Sequence, residues 1–513
     1  MSVIMSYCTR SSSVLRRLAI AGSLLGVEST AFAAQQPAQT SNTETSVTQP
    51  SAIQTSATTQ TSATQSGVQP VSASSSSSPA GPQLIAPAPR PAPPAALGPS
   101  GQINKWFSVR GEFRGRLEGF SGGGYKPDNS DGYMLDRFRI NATVTASPVV
   151  KFVVQVQDAR AFDKTTGGTG IPFRDTLDLR MAYGELGGAR NMVRVGRQEL
   201  VFGEQRLVGH LNWANNARSF DGVRATITRA PFKFDVFATS LVTIQPDAFD
   251  KSGAGNRFYG FYGSTTRVIP KATVEPFLFW RQSEGLTLET GGVGDIHQAT
   301  IGARVAGKLP RDFDYGIEMA GQTGTVATDD VRAWAGHWVT GKTFTTAPSK
   351  PRPFIEFNYA SGDRDPKDGV RGTFDQLYPT FHDKIGLADQ VSWKNVDHLR
   401  GGIELKPKAQ WALSGSYHSF WLASATDALY TANGTAVTRS IAGTAGRFIG
   451  QEVDAQAVYT YSSQLQIAGG YAHLLPGEFL QTMTPGESYS STYLMITYVF
   501  LGDKPPAPRG GQR

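Results

Sequence analysis

The chain has 513 residues, 39% of them hydrophobic and 18% charged, with 56 glycines and a formal charge of +7. That hydrophobic share is too low for a bundle of membrane helices, and no stretch approaches the roughly 18 consecutive apolar residues a spanning helix needs. The charge is mild for the length and Lys/Arg blocks of the kind that track phosphates are absent, so nucleic acid is not an expected partner.

Residues 1–33 read as a secretory signal peptide. Arg10, Arg16 and Arg17 supply a basic start, Leu18 to Val27 a short apolar stretch, and Ala31-Phe32-Ala33 a small-x-small cleavage site. Arg16-Arg17 also admits a twin-arginine reading, the weaker of the two. Cleavage after Ala33 removes Cys8, the single cysteine, and with it any disulfide or thiol chemistry. Residues 34–100 are rich in Ser, Thr, Gln, Ala and Pro, with a serine run at Ser74 to Ser78 and Pro/Ala from Pro79 to Pro99. With almost no aromatic side chain to offset the entropy of ordering, this is expected to be a disordered linker that stiffens toward polyproline geometry. The plain reading is a spacer; a tether to cell-wall material is the sharper one.

At Asn104 the texture changes. In Trp106 to Glu118, Phe107, Val109, Phe113 and Leu117 alternate with Arg110, Glu112, Arg114, Arg116 and Glu118, which is a strand with opposite environments on its two sides. The same period recurs in Arg137, Arg139 and Asn141 against Phe138, Ile140 and Ala142. It recurs again in Arg304 against Ala303 and Val305, in His398, Arg400 and Glu404 against Leu399 and Ile403, and in Glu452 and Asp454 against Val453 and Ala455. Long strands with one strongly polar face suit a transmembrane antiparallel barrel with lipid outside and water inside. The connections alternate in length. Short ones sit near residues 147–148, 187–188, 230–231, 269–270, 308–311, 406–408 and 462–463. Long ones sit at 119–132, 162–174, 199–218, 244–255, 284–295, 362–395, 422–449 and 476–489. Short periplasmic turns and long outer loops give this rhythm, and the count is about eighteen strands over 101–501, least clear between 310 and 352. The last strand, with Leu494, Ile496, Tyr498 and Phe500 on one face, looks like the signal read by the barrel-assembly machinery, although a tail at 502–513 follows it.

Several segments resemble the bacterial alginate export family. The densest runs from Val195-Gly196-Arg197-Gln198-Glu199-Leu200 through Phe202-Gly203-Glu204-Gln205-Arg206-Leu207 and Trp213, Asn215 and Arg218 to Phe220-Asp221-Gly222-Val223-Arg224. A second spans Ala360-Ser361-Gly362-Asp363, Gly372-Thr373-Phe374, Tyr378-Pro379-Thr380 and His382, and a looser one Gln155 to Arg160. The resemblance implies an eighteen-stranded outer-membrane barrel with an arginine-rich pore; the best-known member exports alginate, a polyuronate, and many relatives share the domain without a proven substrate.

The polar faces carry Arg110, Arg114, Arg116, Arg137, Arg139, Arg194, Arg224, Arg304 and Arg400. In an aqueous lumen they would meet the carboxylates of an acidic polysaccharide, which the planar guanidinium binds in pairs. Glu112, Glu118, Glu404, Glu452 and Asp454 would keep that attraction weak enough for flow. The plainer alternative is that these charges pair across strands and merely fill the barrel. Arg197, Glu199, Glu204, Arg206, Trp213, Arg218 and Asp221 belong either to a constriction folded into the pore or to a salt-bridged brace at the rim. The acidic run Asp363, Asp365, Asp368 does not fit the twelve-residue calcium loop and reads as a solvated outer loop. No resident cofactor or metal is expected. Catalysis has little support: His418 beside Ser416 and Ser419 is the nearest thing to a hydrolase pair. The expectation is a passive, anion-preferring outer-membrane channel exporting alginate or a related acidic polysaccharide, inserted by the barrel-assembly machinery and fed by periplasmic secretion partners. A diffusion channel for other anions is the second reading, and a surface-binding or adhesion barrel the third.

Overall fold

A computed structural model of the chain describes residues 101–287 and 292–501; the expected signal peptide, linker and C-terminal tail lie outside the described residues. In chain order the strands are β1 (Phe107–Ser121), β2 (Asp131–Ser147), β3 (Val150–Phe162), β4 (Asp175–Gly187), β5 (Asn191–Gln198), β6 (Phe220–Arg229), β7 (Phe232–Thr243), β8 (Lys251–Thr265), β9 (Ala272–Thr287), β10 (Val293–Leu309), β11 (Phe313–Val326), β12 (Asp329–Lys342), β13 (Arg352–Ala360), β14 (Val370–Arg371), β15 (Val396–Leu405), β16 (Trp411–Trp421), β17 (Ala428–Tyr430), β18 (Ala436–Arg439), β19 (Phe448–Thr460), β20 (Leu465–Pro476) and β21 (Tyr489–Phe500). The sheet has 19 strands, one of which is the two-residue β14 set beside β12; β17 and β18 pair apart from it, within a loop. Eighteen long strands remain, joined antiparallel in chain order and closed by β21 on β1, with Phe500 opposite Gly111 and Ser490 opposite Ser121. Closure leaves no free edge, as a lipid environment requires.

Burial along these strands is the reverse of a globular core. The side chains open to the surroundings are apolar: Phe152, Val154 and Val156 on β3, Ile355 and Phe357 on β13, Leu399 and Ile403 on β15. The buried neighbours between them are Gln157, Arg352, Glu356, Asn358, His398 and Arg400. An apolar outside and a polar inside is the pattern of a barrel in lipid. Aromatic pairs mark both rims of the outer surface: Trp411 with Tyr459 (4.7 Å) and Phe138 with Phe500 (5.5 Å) toward the short-turn end, Trp334 with Tyr359 (4.3 Å) and Trp421 with Phe448 (5.7 Å) toward the other. The Phe500 ring lies where a Cβ on Gly111 would stand, which is why the closing seam carries glycine there.

The structure departs from the expected layout in two ways, the first of which explains the unclear region at 310–352. The outer connection between β11 and β12 is the two-residue turn Ala327-Thr328, whereas the connection from β12 to β13 on the opposite side runs over residues 343–351. Loop length therefore reverses there. The inner face is also not polar all round. On β7, β8 and β9 it presents Phe237, Phe258, Tyr262, Phe277 and Phe279, all buried.

Candidate functional site

Two outer connections, 199–219 and 361–395, enter the barrel instead of standing above it. The first begins at the outer end of β5, and its apolar residues seat on the aromatic arc. Phe202 stacks on Tyr262 (4.7 Å) and Phe237 (5.5 Å), with Leu200, Leu207 and Val208 buried beside it. Its charged residues then reach the far wall. Arg206 donates to Glu356 of β13 at 2.7 Å, and Glu204 accepts from Arg304 of β10 at 2.6 Å, with Arg304 also held by Glu275 of β9. Burial opposes ionisation of Glu204, but the Arg304 guanidinium, followed by His337 and Arg206, holds its carboxyl down at about 2.

Residues 212–215 of the same connection press against the opposite wall. Arg114 donates to Asn212 O (2.7 Å), Trp213 O (3.2 Å), Ala214 O (3.3 Å) and Asn215 Oδ1 (3.1 Å). Arg137 donates to Asn212 O (3.0 Å) and Ala214 O (3.4 Å), Arg116 to Trp213 O (2.7 Å), and Arg139 to Asn212 Oδ1 (2.8 Å). β1 and β10 lie nine positions apart in a ring of eighteen, so the connection crosses the whole lumen.

The 361–395 connection crosses it a second time. Asp375 pairs with Arg281 of β9 at 2.5 Å; Leu387 N and Ala388 N donate to Asp454 and Glu452 of β19 at 3.1 and 3.0 Å. The two connections are bound to each other. Val208 and Tyr378 form a parallel bridge, and Arg218 donates to Pro379 O (2.9 Å) and Gly209 O (3.3 Å). The Trp213 ring lies parallel to His382 with centroids 3.6 Å apart, and the Arg116 guanidinium stands 3.9 Å from the same ring. Two planar groups at that spacing occupy opposite faces, so the indole is sandwiched. His382 is fixed in turn by Asp389 at 2.9 Å.

Arg110 is solvent-exposed near the short-turn end of β1. Arg194 donates from Nε to Glu185 at 2.9 Å and stands over Tyr183. Arg224 donates to Asp235 at 2.9 Å and stands over Phe202. Arg400 donates to Ser416 Oγ at 3.2 Å and to Asp383 O at 3.3 Å, with Glu356 at 3.4 Å. Arg197 and Asp221 pair through two bonds of 2.9 and 3.1 Å where β5 leaves the wall, and Glu199 accepts from Arg180. The brace and the intralumenal crossing are thus two parts of one connection: Arg197, Glu199 and Asp221 fasten its roots, while Glu204, Arg206, Trp213 and Arg218 lie along its path inside.

Sequence reasoning missed Arg180, which donates to Gln155 of the adjacent strand and to Glu199, Arg281, whose partner Asp375 comes from a distant loop, and the buried cluster of Glu356, Asn358 and His337. The signal for that cluster is the period-two run Glu356, Asn358 between Ile355 and Phe357. His418 lies 3.0 Å from Ser416 Oγ and 3.0 Å from Asp454 Oδ2, but both contacts fall on Nε2, while Nδ1 faces His398 at 2.9 Å. A nucleophile–base–acid relay needs the hydroxyl and the carboxylate on opposite ring nitrogens, so this trio is a packed polar contact without the geometry of a hydrolase. Asp363, Asp365 and Asp368 accept from the backbone N–H of Asp365, Lys367 and Val370, closing turns at the rim.

Among solved structures, the fold is similar to Acinetobacter baumannii OccAB2 (TM-score 0.53, 12% identity, covering 77% of this chain and 98% of that one). It is also similar to Pseudomonas aeruginosa OccD3 (OpdP) (0.53, 11%, 79% and 93%) and OpdQ (0.52, 11%, 77% and 97%). At that identity the likeness carries the fold alone. No curated protein matches the chain in sequence. The alginate export family model matches residues 105–493, from the first strand into the last, including both connections that cross the lumen. The chain is an outer-membrane β-barrel of the channel type and belongs to the alginate export family.

Proposed function

We propose that the barrel passively conducts an acidic polysaccharide, alginate or a related polyuronate, outward across the membrane. One observation carries this reading. The guanidiniums of Arg114, Arg116, Arg137 and Arg139 are engaged mainly by neutral backbone carbonyls and amides of a loop. The carboxylates on this wall, Glu112 on Arg137 and Glu118 on Arg116, are fewer than the arginines, so the wall stays net positive. A charge-assisted bond to a carboxylate is roughly twice as strong as one to a neutral acceptor. Successive uronate carboxylates would therefore compete with the 212–215 carbonyls for the same arginines and displace the loop that obstructs their path. Entry of substrate and opening would be one event.

The supporting cast follows from the same reading: a cleaved signal peptide at 1–33, insertion by the barrel-assembly machinery, and periplasmic partners that deliver polymer to the short-turn mouth. The test is single-channel conductance of the refolded protein in planar bilayers with added polymannuronate. Anion preference, with polymannuronate raising opening frequency and interrupting small-ion current, is the expected outcome. Current indifferent to polyuronate would assign a diffusion channel for other anions. The double crossing of the lumen favours one further reading, a surface-binding barrel, and absence of current with or without polymer would select it.

A further inference from the structure

We propose that Asp175, Asp178 and Asp250 form a calcium site that clamps the 244–250 connection to the outer end of β4. One oxygen from each of the three carboxylates lies within 4.8 Å of the others. Calcium takes oxygen ligands at about 2.3–2.6 Å, so oxygens on opposite sides of the ion stand about 4.6–5.2 Å apart and adjacent ones nearer 3.4 Å. A magnesium ion, with ligands at about 2.0–2.1 Å, needs a tighter and more regular set.

Burial gives an independent reason to expect a cation here. Asp175 and Asp178 are each 1% exposed. Asp175 Oδ2 accepts from Gln157 Nε2 at 2.9 Å, and its Oδ1 has no hydrogen-bond partner among the described residues. Asp178 Oδ2 accepts from Asp250 N at 2.5 Å; among the described residues its Oδ1 has no hydrogen bond, and the Arg197 guanidinium stands 3.6 Å away. A buried carboxylate oxygen left bare costs far more than one that is paired, and an ion is the ordinary remedy. Charge leads to the same place. Arg197, the guanidinium nearest Asp178, is already held by Asp221 through two bonds, which leaves it little charge to offset the three clustered carboxylates.

The backbone is arranged for this meeting. Residues 175 and 178 would fall on opposite faces of a regular strand. The pairing shifts between Gln157↔Asp178 and Ala159↔Asp175, so an extra residue of β4 bulges out and both carboxylates turn the same way. Leu177, inside the bulge, holds φ +37°. Non-glycine residues at such angles are costly and persist where the surroundings demand them.

The site would do more than fasten one loop. Thr176 N and Oγ1 both reach Pro246 O at 3.1 Å, binding the same connection to the same strand. Gln157 Nε2, which holds Asp175, also donates to Asn216 O at 3.0 Å, next to the residues held by Arg114. An ion at Asp175 therefore fixes the root of the intralumenal connection as well as the rim.

The experiment is calorimetric titration of CaCl2 into the chelator-treated full chain, folded in lipid or detergent, with thermal unfolding in parallel. One Ca2+ per chain, with Kd roughly in the 10⁻⁴–10⁻³ M range of extracellular sites, is expected. So is a rise in unfolding temperature that Asp175→Asn and Asp250→Asn abolish, with affinity at least about tenfold weaker in each. Asp365→Asn, at the separate acidic run, should bind as the parent does. Asp250 lies outside every strand, so its variant reports even where the β4 substitution prevents closure, which heat-modifiable migration on gels reveals. Absence of saturable binding up to about 10 mM Ca2+ would overturn the proposal. Retention of binding in Asp250→Asn would do the same, as would equal affinity for MgCl2.

Discussion

Releasing the 212–215 segment from the β1–β2 wall should open the barrel, and Arg114→Ala with Arg137→Ala is the sharpest way to release it. Together these substitutions strip Asn212 O and Ala214 O of both their guanidinium partners and remove the Arg114 bond to Asn215 Oδ1, while Arg116 still reaches Trp213 O. Hydrogen bonds to a charged group contribute about 1.5–3 kcal/mol each. Water would replace part of that in an open lumen, so a loss of about 3–4 kcal/mol from the closed arrangement is a conservative figure. At about 1.4 kcal/mol per tenfold, the population with the segment withdrawn rises by roughly a hundredfold or more. Planar-bilayer recordings in the absence of polymer should show this as longer and more frequent openings. The competing account makes opposite demands. If the arginines already line an open ion path, removing two of them lowers anion selectivity and leaves open probability where it was. That result would refute the reasoning.

Glu204→Gln should lower the unfolding temperature at neutral pH and do so less as pH falls. The folded-state value near 2 lies below the ordinary 4.5, so this group stabilises above about pH 4.5 and its contribution, of order 3 kcal/mol, fades as pH drops toward 2. A parent–variant difference that stays constant from pH 7 to pH 2.5 contradicts this. Gly386 holds φ +95°, and a Cβ there would stand 2.5 Å from Glu452 Oε1, so Gly386→Ala should detach the 361–395 connection from β19 and raise basal conductance without altering barrel closure. Leu399, exposed on the lipid face of β15, should cost about 2–4 kcal/mol when changed to Arg if it sits near the midplane, read by urea unfolding in vesicles; Ser414→Arg on the inner face should cost less. Trp213→Ala removes the ring between Arg116 and His382 and should increase protease access to the 199–219 connection in the folded barrel.

What could be read from the residues follows from which interactions are local. Alternation in β1, β2, β10, β15 and β19 is a property of neighbouring residues, and together with the rhythm of short and long connections it located strands and set a count of about eighteen. Alternation was not enough at 310–352, where the length rule itself reverses because the Ala327-Thr328 turn is shorter than the 343–351 connection on the other side. It was also silent on β7–β9, where Phe237, Phe258, Phe277 and Phe279 face inward and lipid-facing residues are apolar too, so the two faces no longer differ in polarity. The inward direction of Arg114, Arg137 and Arg304 was legible. Their partners were not, because Asn212 and Glu204 approach from 75 to 100 residues away. The family motif at 195–224 did mark the connection that supplies them.

The crossing of the lumen has a consequence for biogenesis. The 199–219 connection leaves the wall after β5, yet its far anchors, Arg304 and Glu356, are on β10 and β13. Those anchors do not exist until strands well downstream in the chain have been laid into the sheet, and contacts of such sequence separation form slowly. The wall must therefore be largely built before its interior can be filled, and a newly closed barrel should pass through a hollow, leaky stage before the two connections settle across it.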